Sequence, residues 1–244
     1  MTGTRGILKT NNILLSLLSD QDQAVLIPSV EEIELRQNDV LFQPSQEIEH
    51  VYFFNSGLSS EIAVNADGSQ IEVGCAGREG MSGVPAILGV RASPHQSFMQ
   101  VGGSALRIHV RDLQRIMVQN PQLAGLLLRY AHVFMAQIAA TALANGRYKV
   151  EQRLARWLLM SHDRLDGDLP LTHGFLALML GVRRPSVTDT LHVLEGEKLI
   201  KASRSLITIR QREKLQTMAG DAYGVPEAEY QRLISTRWPN QMRI

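Results

Sequence analysis

The chain has 244 residues, 44% of them hydrophobic and 20% charged, which is ordinary for a soluble globular protein of one large or two modest domains. Its single cysteine, Cys75, excludes an intramolecular disulfide and any cysteine-built cluster or zinc site within one chain. The net charge of +1 is unevenly spread: residues 1–146 carry 9 Lys+Arg against 13 Asp+Glu, residues 147–214 carry 13 against 8, and residues 215–244 carry 3 of each. Positive charge is therefore concentrated in one C-terminal segment, as a phosphate-binding surface requires. No apolar run reaches the roughly 18 residues of a membrane span. Residues 1–12 lack the apolar core of a signal peptide, so a cytoplasmic protein without membrane contact is expected.

Residues 12–27 have helical spacing (Ile13, Leu14, Leu17, Leu18), with Ser19 or Asp20 as N-cap of a second short helix that Pro28 ends. From Glu31 the apolar period becomes two. Strands are expected at 33–35, 40–42, 51–54, 59–64, 70–73, 97–101 and 105–110, with Asn65-Ala66-Asp67-Gly68 as a hairpin turn. Short strands at this spacing predict an antiparallel β-roll over about residues 30–110. Within it lies Gly74-Cys75-Ala76-Gly77-Arg78-Glu79-Gly80-Met81-Ser82-Gly83. Four glycines in such a run either cradle an anion with open amides or turn the corners of a small barrel, and taken alone the run is read as corners. Residues 85–88 suit one helical turn.

A short helix is expected at 112–117. Asn120 and Pro121 then start a long one, as N-cap and first helical residue. Leu123, Leu127, Tyr130, Phe134, Gln137 or Ile138, and Thr141 form one apolar stripe; Leu126, Val133 and Ala140 form a second. So broad a face is expected both to lie on its own barrel and to pair with its copy in a second chain as a parallel coiled coil. Asn145-Gly146 is the expected hinge, and an amphipathic helix with Val150, Leu154, Trp157 and Leu158 on one face follows.

The stretch from 171 to 194, LTHGFLALMLGVRRPSVTDTLHVL, reads as two helices around a glycine turn. Phe175, Leu176, Met179 and Leu180 line the first helix; Gly181 turns; Pro185 opens the second, whose Val187, Leu191 and Leu194 share an inner face. Two strands around Ser203-Arg204-Ser205 complete a winged helix. The recognition helix is 184–195. Arg184, Asp189, His192 and, at the wing tip, Arg204 are candidate DNA contacts. Thr172, Arg183, Ser186 and Thr188 are candidates for phosphate, which fixes register without reading sequence. Residues 215–244 are expected to be a tail, with a short helix at 226–234 and a loose end around Trp238-Pro239-Asn240.

A β-roll with a Gly-rich cassette, a long helix, a hinge and a winged helix resembles the cyclic-AMP receptor protein and FNR (Crp/Fnr) superfamily of bacterial transcription regulators. The resemblance spans about residues 12–214 and is strongest in Phe175-Leu-Ala-x-Met-Leu-Gly-Val-Arg-Arg-Pro-Ser-Val-Thr. It implies an α+β protein: residues 1–145 as a cyclic-nucleotide-binding-like jelly roll with a dimerisation helix at about 112–144, and 146–214 as a winged helix-turn-helix. It implies a homodimer on double-stranded palindromic DNA, with RNA polymerase as a further partner, no cofactor and no enzymatic activity.

The departures matter as much. Cyclic-nucleotide binders of the family carry Gly-Glu-Leu where this chain has Gly80-Met81-Ser82, and an Arg-Ser or Arg-Ala pair where it has His95-Gln96. A neutral imidazole and an amide replace poorly a guanidinium that grips phosphate in two bonds. An effector other than cyclic AMP is therefore expected at Gly80, Met81, Ser82, His95 and Gln96, if the roll takes one. The N-terminal cysteine set of the family's iron–sulfur sensors is absent. His50, His95, His109 and His132 keep haem sensing open, though each is read as an ordinary surface or core histidine. In the recognition helix the family's Arg-Glu-Arg reading set becomes Arg184, Pro185 and Asp189. Arg184 retains the ability to read guanine, worth about 1–3 kcal/mol, whereas proline cannot read cytosine N4. Two other readings are weighed: a ligand-binding module whose C-terminal domain contacts protein, and a metal-dependent cupin enzyme, which needs a His-x-His that the chain lacks.

Overall fold

The computed structural model describes residues 8–235, so Trp238-Pro239-Asn240 lies outside the described residues. The chain divides into two compact units, the first built from residues up to 60 and 76–132, the second from 61–75 and 133 onward.

The first unit opens with two short helices, α1 (Ile13–Ser16) and α2 (Asp20–Leu26). Ser19 caps α2 as expected, its side chain accepting the Asp22 N–H. Asn12, which the spacing does not single out, ties the entry together. Its Oδ1 accepts from the Leu15 N–H, while Nδ2 donates to the carbonyls of Phe54 (2.9 Å) and Gly80 (2.7 Å). The strands follow as β1 (Val30–Leu35), β2 (Val40–Phe42), β3 (His50–Phe54), β4 (Leu58–Val64), β5 (Gln70–Ala76), β6 (Met81–Ser82), β7 (Gln96–Val101) and β8 (Gly103–His109). One sheet has the order β1-β8-β3-β6 and the other β2-β7-β4-β5. Leu35, Tyr52, Phe54, Met99 and Ala105 form a core drawn from both sheets, the two-layer solution for alternating strands. Every expected strand is present within a few residues; β6 and α3 (Val84–Ile87) frame the end of the glycine run.

A helix α4 (Val110–Gln119) begins on His109, whose Nδ1 accepts the Arg111 N–H at 3.1 Å. Asn120 breaks the chain and caps α5 (Pro121–Arg147): its Oδ1 takes the Leu123 N–H at 2.9 Å and its Nδ2 donates to Asp22 at 2.6 Å. By length and hydropathy α5 is the one described helix that meets the requirements of a membrane span. Its apolarity has another cause, because Leu123, Leu127, Tyr130, Val133 and Phe134 are all buried within the chain. Both expected apolar stripes therefore serve internal packing. A third stripe, Leu128, His132, Met135, Ala139 and Ala142, remains exposed. The expected hinge also moves: α5 runs through Asn145 and Gly146, and the break falls at Tyr148 and Lys149, before α6 (Val150–Arg164).

The second unit joins the β4–β5 hairpin residues 61–75 to the rest of α5 and everything beyond it. Gln137 holds both backbone groups of Cys75, its Oε1 taking the N–H at 2.7 Å and its Nε2 reaching the carbonyl at 3.2 Å. Trp157 on α6 donates its indole N–H to Glu72 at 2.7 Å. After the wing come α9 (Arg212–Ala219) and α10 (Val225–Leu233); the second is the short helix expected at 226–234, and because its Tyr230 is fully buried this part of the expected tail packs. The buried Asp163 carboxylate on α6 accepts from Arg212 at 2.5 Å and from the Tyr223 hydroxyl at 2.6 Å. Removal of a buried partner of this kind leaves a desolvated charge, so the network holds the C-terminal segment in place.

Candidate nucleic-acid interface

The winged helix is assembled from α6, α7 (His173–Leu180), α8 (Arg184–Gly196), the hairpin β9 (Ile200–Ser203) and β10 (Leu206–Ile209), and α9. Thr172 caps α7, its side-chain oxygen accepting the Phe175 N–H at 3.2 Å. At the other end Gly181 adopts φ 59°, the left-handed conformation that closes the helix, and Arg153 bonds the Leu180 carbonyl. A Cβ at Gly181 would stand 2.8 Å from the Ile71 side chain, so both φ and crowding require glycine. Helix α8 starts at Arg184, as expected, with Pro185 in its first turn. Val187, Thr190, Leu191 and Leu194 are its buried face, and Leu176, Met179 and Leu180 are buried on α7.

The opposite face presents the candidate contacts. Arg183, Arg184, Asp189 and His192 are exposed, as is Arg204 in the two-residue turn of the wing. Ser203 pairs with Leu206, and Ser205 takes φ 61° to turn the chain. The wing is anchored twice. Leu169 exchanges two backbone hydrogen bonds with Ile207 (2.8 and 2.9 Å), and Glu195 at the end of α8 accepts the Ala202 N–H at 2.7 Å. A groove of about 520 Å³ between these elements is lined by Thr172, His173, Arg184, His192, Arg204 and neighbours. Four of the eight candidate DNA contacts therefore share one groove. Arg183, Ser186, Thr188 and Asp189 are outside its lining. The Thr188 hydroxyl is engaged internally, with His173 at 3.0 Å and the Arg184 carbonyl at 3.2 Å. His173 is the groove residue that sequence reasoning passed over; the signal was its place at the first helical position, next to the N-cap.

The glycine run is placed quite differently. The Gly80 N–H donates to the Gly77 carbonyl at 3.0 Å, and the Gly77 N–H to the Glu79 carboxylate at 3.0 Å. A Cβ on Gly80 would meet the Tyr130 hydroxyl at 2.0 Å, while that hydroxyl donates to the Met81 carbonyl at 3.3 Å. The glycines thus admit close neighbours and turn corners. Met81 and Ser82 are buried, and Ser82 bonds Ser97 at 2.9 Å beside Gln96. The His95 N–H is held by Ser93 at 3.1 Å. A separate cavity of about 830 Å³ in the first unit is lined by Ile48, Ile87, Arg91, His109 and Arg111, and by none of the five expected effector residues. Among the described residues no group of three or more His, Cys, Asp or Glu is arranged to hold a metal ion.

Residues 152–218 match the family model of the Crp-like helix-turn-helix domain. The fold over most of the chain is that of FixK2 from Bradyrhizobium japonicum, with a TM-score of 0.67 at 18% identity over 78% of this chain and 98% of that one. Residues 152–218 are therefore a Crp-like helix-turn-helix domain. A transcriptional regulator of the CRP family from Thermus thermophilus superposes on this chain with a TM-score of 0.66 at 17% identity, covering 80% of this chain and 98% of its own. Among curated relatives, a global nitrogen regulator of Synechococcus elongatus is 23% identical over 215 residues, which is 83% of this chain and 95% of the relative. Its counterpart in a Nostoc species is 25% identical over 196 residues, or 75% and 86%.

Proposed function

We propose that the chain is a transcription regulator of the Crp/Fnr type that acts in the cytoplasm as a homodimer and reads a two-fold-symmetric DNA site, with α8 of each protomer in a major groove. The observation that carries the reading is the groove between α7, α8 and the wing. Arg184, His192 and Arg204 converge there, while the buried face of α8 is fully used for packing. Arg184 reads a guanine edge, Asp189 accepts from a base amino group or orients a neighbouring arginine, and Thr172, Arg183, Ser186 and Arg204 hold phosphates. Thr188 acts from within, by setting its neighbours. Residues 146–214 form the DNA-binding domain and the roll with α5 forms the sensor and dimerisation part. RNA polymerase is the further partner.

Dimerisation is supported by the exposed stripe on α5. Leu128, His132, Met135, Ala139 and Ala142 alternate at spacings of four and three, the heptad seam of a parallel two-stranded coil. Leu128 and Met135 are 47% and 56% exposed, an unusual state for apolar side chains on so regular a spacing. An effector, where one acts, is something other than cyclic AMP: Met81, Ser82, His95 and Gln96 offer no guanidinium or carboxylate to its phosphate and ribose.

Selection of duplexes from a random library by the purified protein tests the reading. The expected result is a palindromic consensus with half-sites about 34 Å apart, lost in Arg184→Ala. Met135→Glu is expected to yield monomers in sedimentation and to abolish binding to the full site. Failure to enrich any duplex at low salt would favour a C-terminal domain that contacts protein.

A further inference from the structure

The first unit holds a cavity of about 830 Å³ between α3, the chain leading into β3, α4 and the start of α5, within the range of roughly 300–1,000 Å³ found for small-molecule sites. Its walls are tied to one another by the fold. The Ile48 N–H donates to the Arg91 carbonyl at 2.8 Å, the Val110 N–H to the Glu49 carbonyl at 2.9 Å, and the Gln114 side-chain amide to the Ala86 carbonyl at 2.9 Å. Part of the lining is apolar: Ile48 and Ile87 are buried, and Met117 and Ala124 are half-buried. The charged part is balanced, with Glu47 and Glu49 against Arg91 and Arg111. One pair is closed, Arg91 on Glu47 at 2.7 Å. The other is open. Glu47 attracts Arg111 only through space, and among the described residues neither the Glu49 carboxylate nor the Arg111 guanidinium makes a hydrogen bond or contact ion pair.

A ligand that matches this lining carries one charge of each sign and an apolar body. A polyanion meets two carboxylates, and a purely apolar molecule leaves Arg111 and Glu49 unused beside it. An apolar zwitterion uses every group. Its carboxylate suits the planar guanidinium fork, which can give two parallel bonds, and its ammonium suits a carboxylate. We propose that this cavity binds a free apolar amino acid or a short apolar peptide, with Arg111 on the carboxylate, Glu49 on the ammonium, and Ile48, Ile87 and Met117 against the side chains. The site is separate from Gly80, Met81, Ser82, His95 and Gln96, none of which lines it. It does not draw on the DNA-binding reading above, and its test contains no DNA.

The test is titration calorimetry of the full chain with leucyl-leucine, leucine, diglycine, and leucyl-leucine blocked as its N-acetyl or its C-terminal amide form. Leucyl-leucine is expected to bind saturably, one per protomer and about tenfold tighter than leucine, the gain from a second buried side chain. The reverse order supports the same site with a free amino acid as its ligand. Diglycine is expected not to bind. Acetylation and amidation are each expected to weaken binding about tenfold, the loss of one charge-assisted contact. Arg111→Gln is expected to bind the free and amidated peptides alike, and Glu49→Gln the free and acetylated peptides alike. Both side chains are exposed, so melting of the variants is expected to match wild type. Arg115→Gln, on the same helix but outside the lining and paired with Asp112, is expected to bind as wild type does. Absence of saturable binding of both leucyl-leucine and leucine overturns the proposal. So does diglycine binding as tightly as leucyl-leucine, or retention by Arg111→Gln and Glu49→Gln of the wild-type discrimination between free and blocked ends.

Discussion

Residues 74–83 and residues 171–205 both gather turns, glycine and polar groups into a short stretch, and they end with opposite uses of those groups. In the first, the amides of Cys75, Gly77 and Gly80 donate to Gln137, Glu79 and Gly77, and the carbonyls of Gly80 and Met81 accept from Asn12 and Tyr130. In the second, backbone groups satisfy helices and wing, while Arg183, Arg184, Asp189, His192 and Arg204 remain exposed. Buried polar groups are bonded in any stable fold. A binding surface is therefore distinguished by the donors left over after folding, which residue types and glycine counts do not reveal.

The largest effect that sharpens this contrast is expected at Gly80. A Cβ 2.0 Å from the Tyr130 hydroxyl cannot be accommodated by a small shift. Gly80→Ala is expected to lower stability by about 3 kcal/mol in denaturant titration. Gly196→Ala at the end of α8, where nothing lies within 4 Å, is expected to change it by no more than about 1 kcal/mol. Equal effects would erase the distinction between the two stretches.

Arg184→Ala should do the reverse. DNA affinity is expected to fall by about 1–3 kcal/mol, roughly fivefold to 150-fold, while thermal melting is unchanged because the side chain is exposed. A large drop in melting temperature would mean that Arg184 belongs to the fold.

Smaller effects are expected from two titratable groups. Glu227 caps α10 by accepting the Gly224 N–H at 3.0 Å, and burial pushes its carboxyl above the ordinary value. The folded state then holds this proton more tightly than the unfolded state. Its contribution is complete below the unfolded value of 4.5 and is lost as pH rises through the raised folded value. Glu227→Gln keeps the cap without the charge, so denaturation at pH 8 is expected to show it as stable as wild type or more so, with the advantage vanishing near pH 4. Glu227→Ala loses the cap and is expected to cost about 1–2 kcal/mol at both pH values. His50 gives the smallest effect. Burial, then Arg107 and His109, hold its imidazole below 6.5, so the folded state resists protonation. Its contribution is present above 6.5 and lost as pH falls through that value toward the folded one; His50→Asn is expected to flatten this part of the stability profile.

How much was legible follows from the range of the interactions that decide each feature. The helix-turn-helix and wing were readable residue by residue, because caps, a left-handed glycine and periods of 3.6 and 2 are local. The strands of the roll were readable for the same reason. Helix α5 was not, since a helix apolar on three sides cannot announce which stripe meets the chain and which is left outside; burial of Tyr130 and Phe134 and exposure of Leu128 and Met135 decided it. The hinge slid from Asn145 and Gly146 to Tyr148 and Lys149, because an αR glycine costs a helix only about 1 kcal/mol and flanking turns override it. The C-terminal segment looked like a tail because its anchors, Asp163 with Arg212 and Tyr223, lie 49 and 60 residues apart in sequence.

The local elements, the basic C-terminal segment and the family resemblance depend on neighbours within a few residues and can be read along the chain alone. That Tyr130 and Asn12 fill the glycine run, and that Thr188 bonds both His173 and the Arg184 carbonyl, is settled by folding. Those outcomes depend on which groups meet across long stretches of chain, where a single bonded partner changes a group from available to committed.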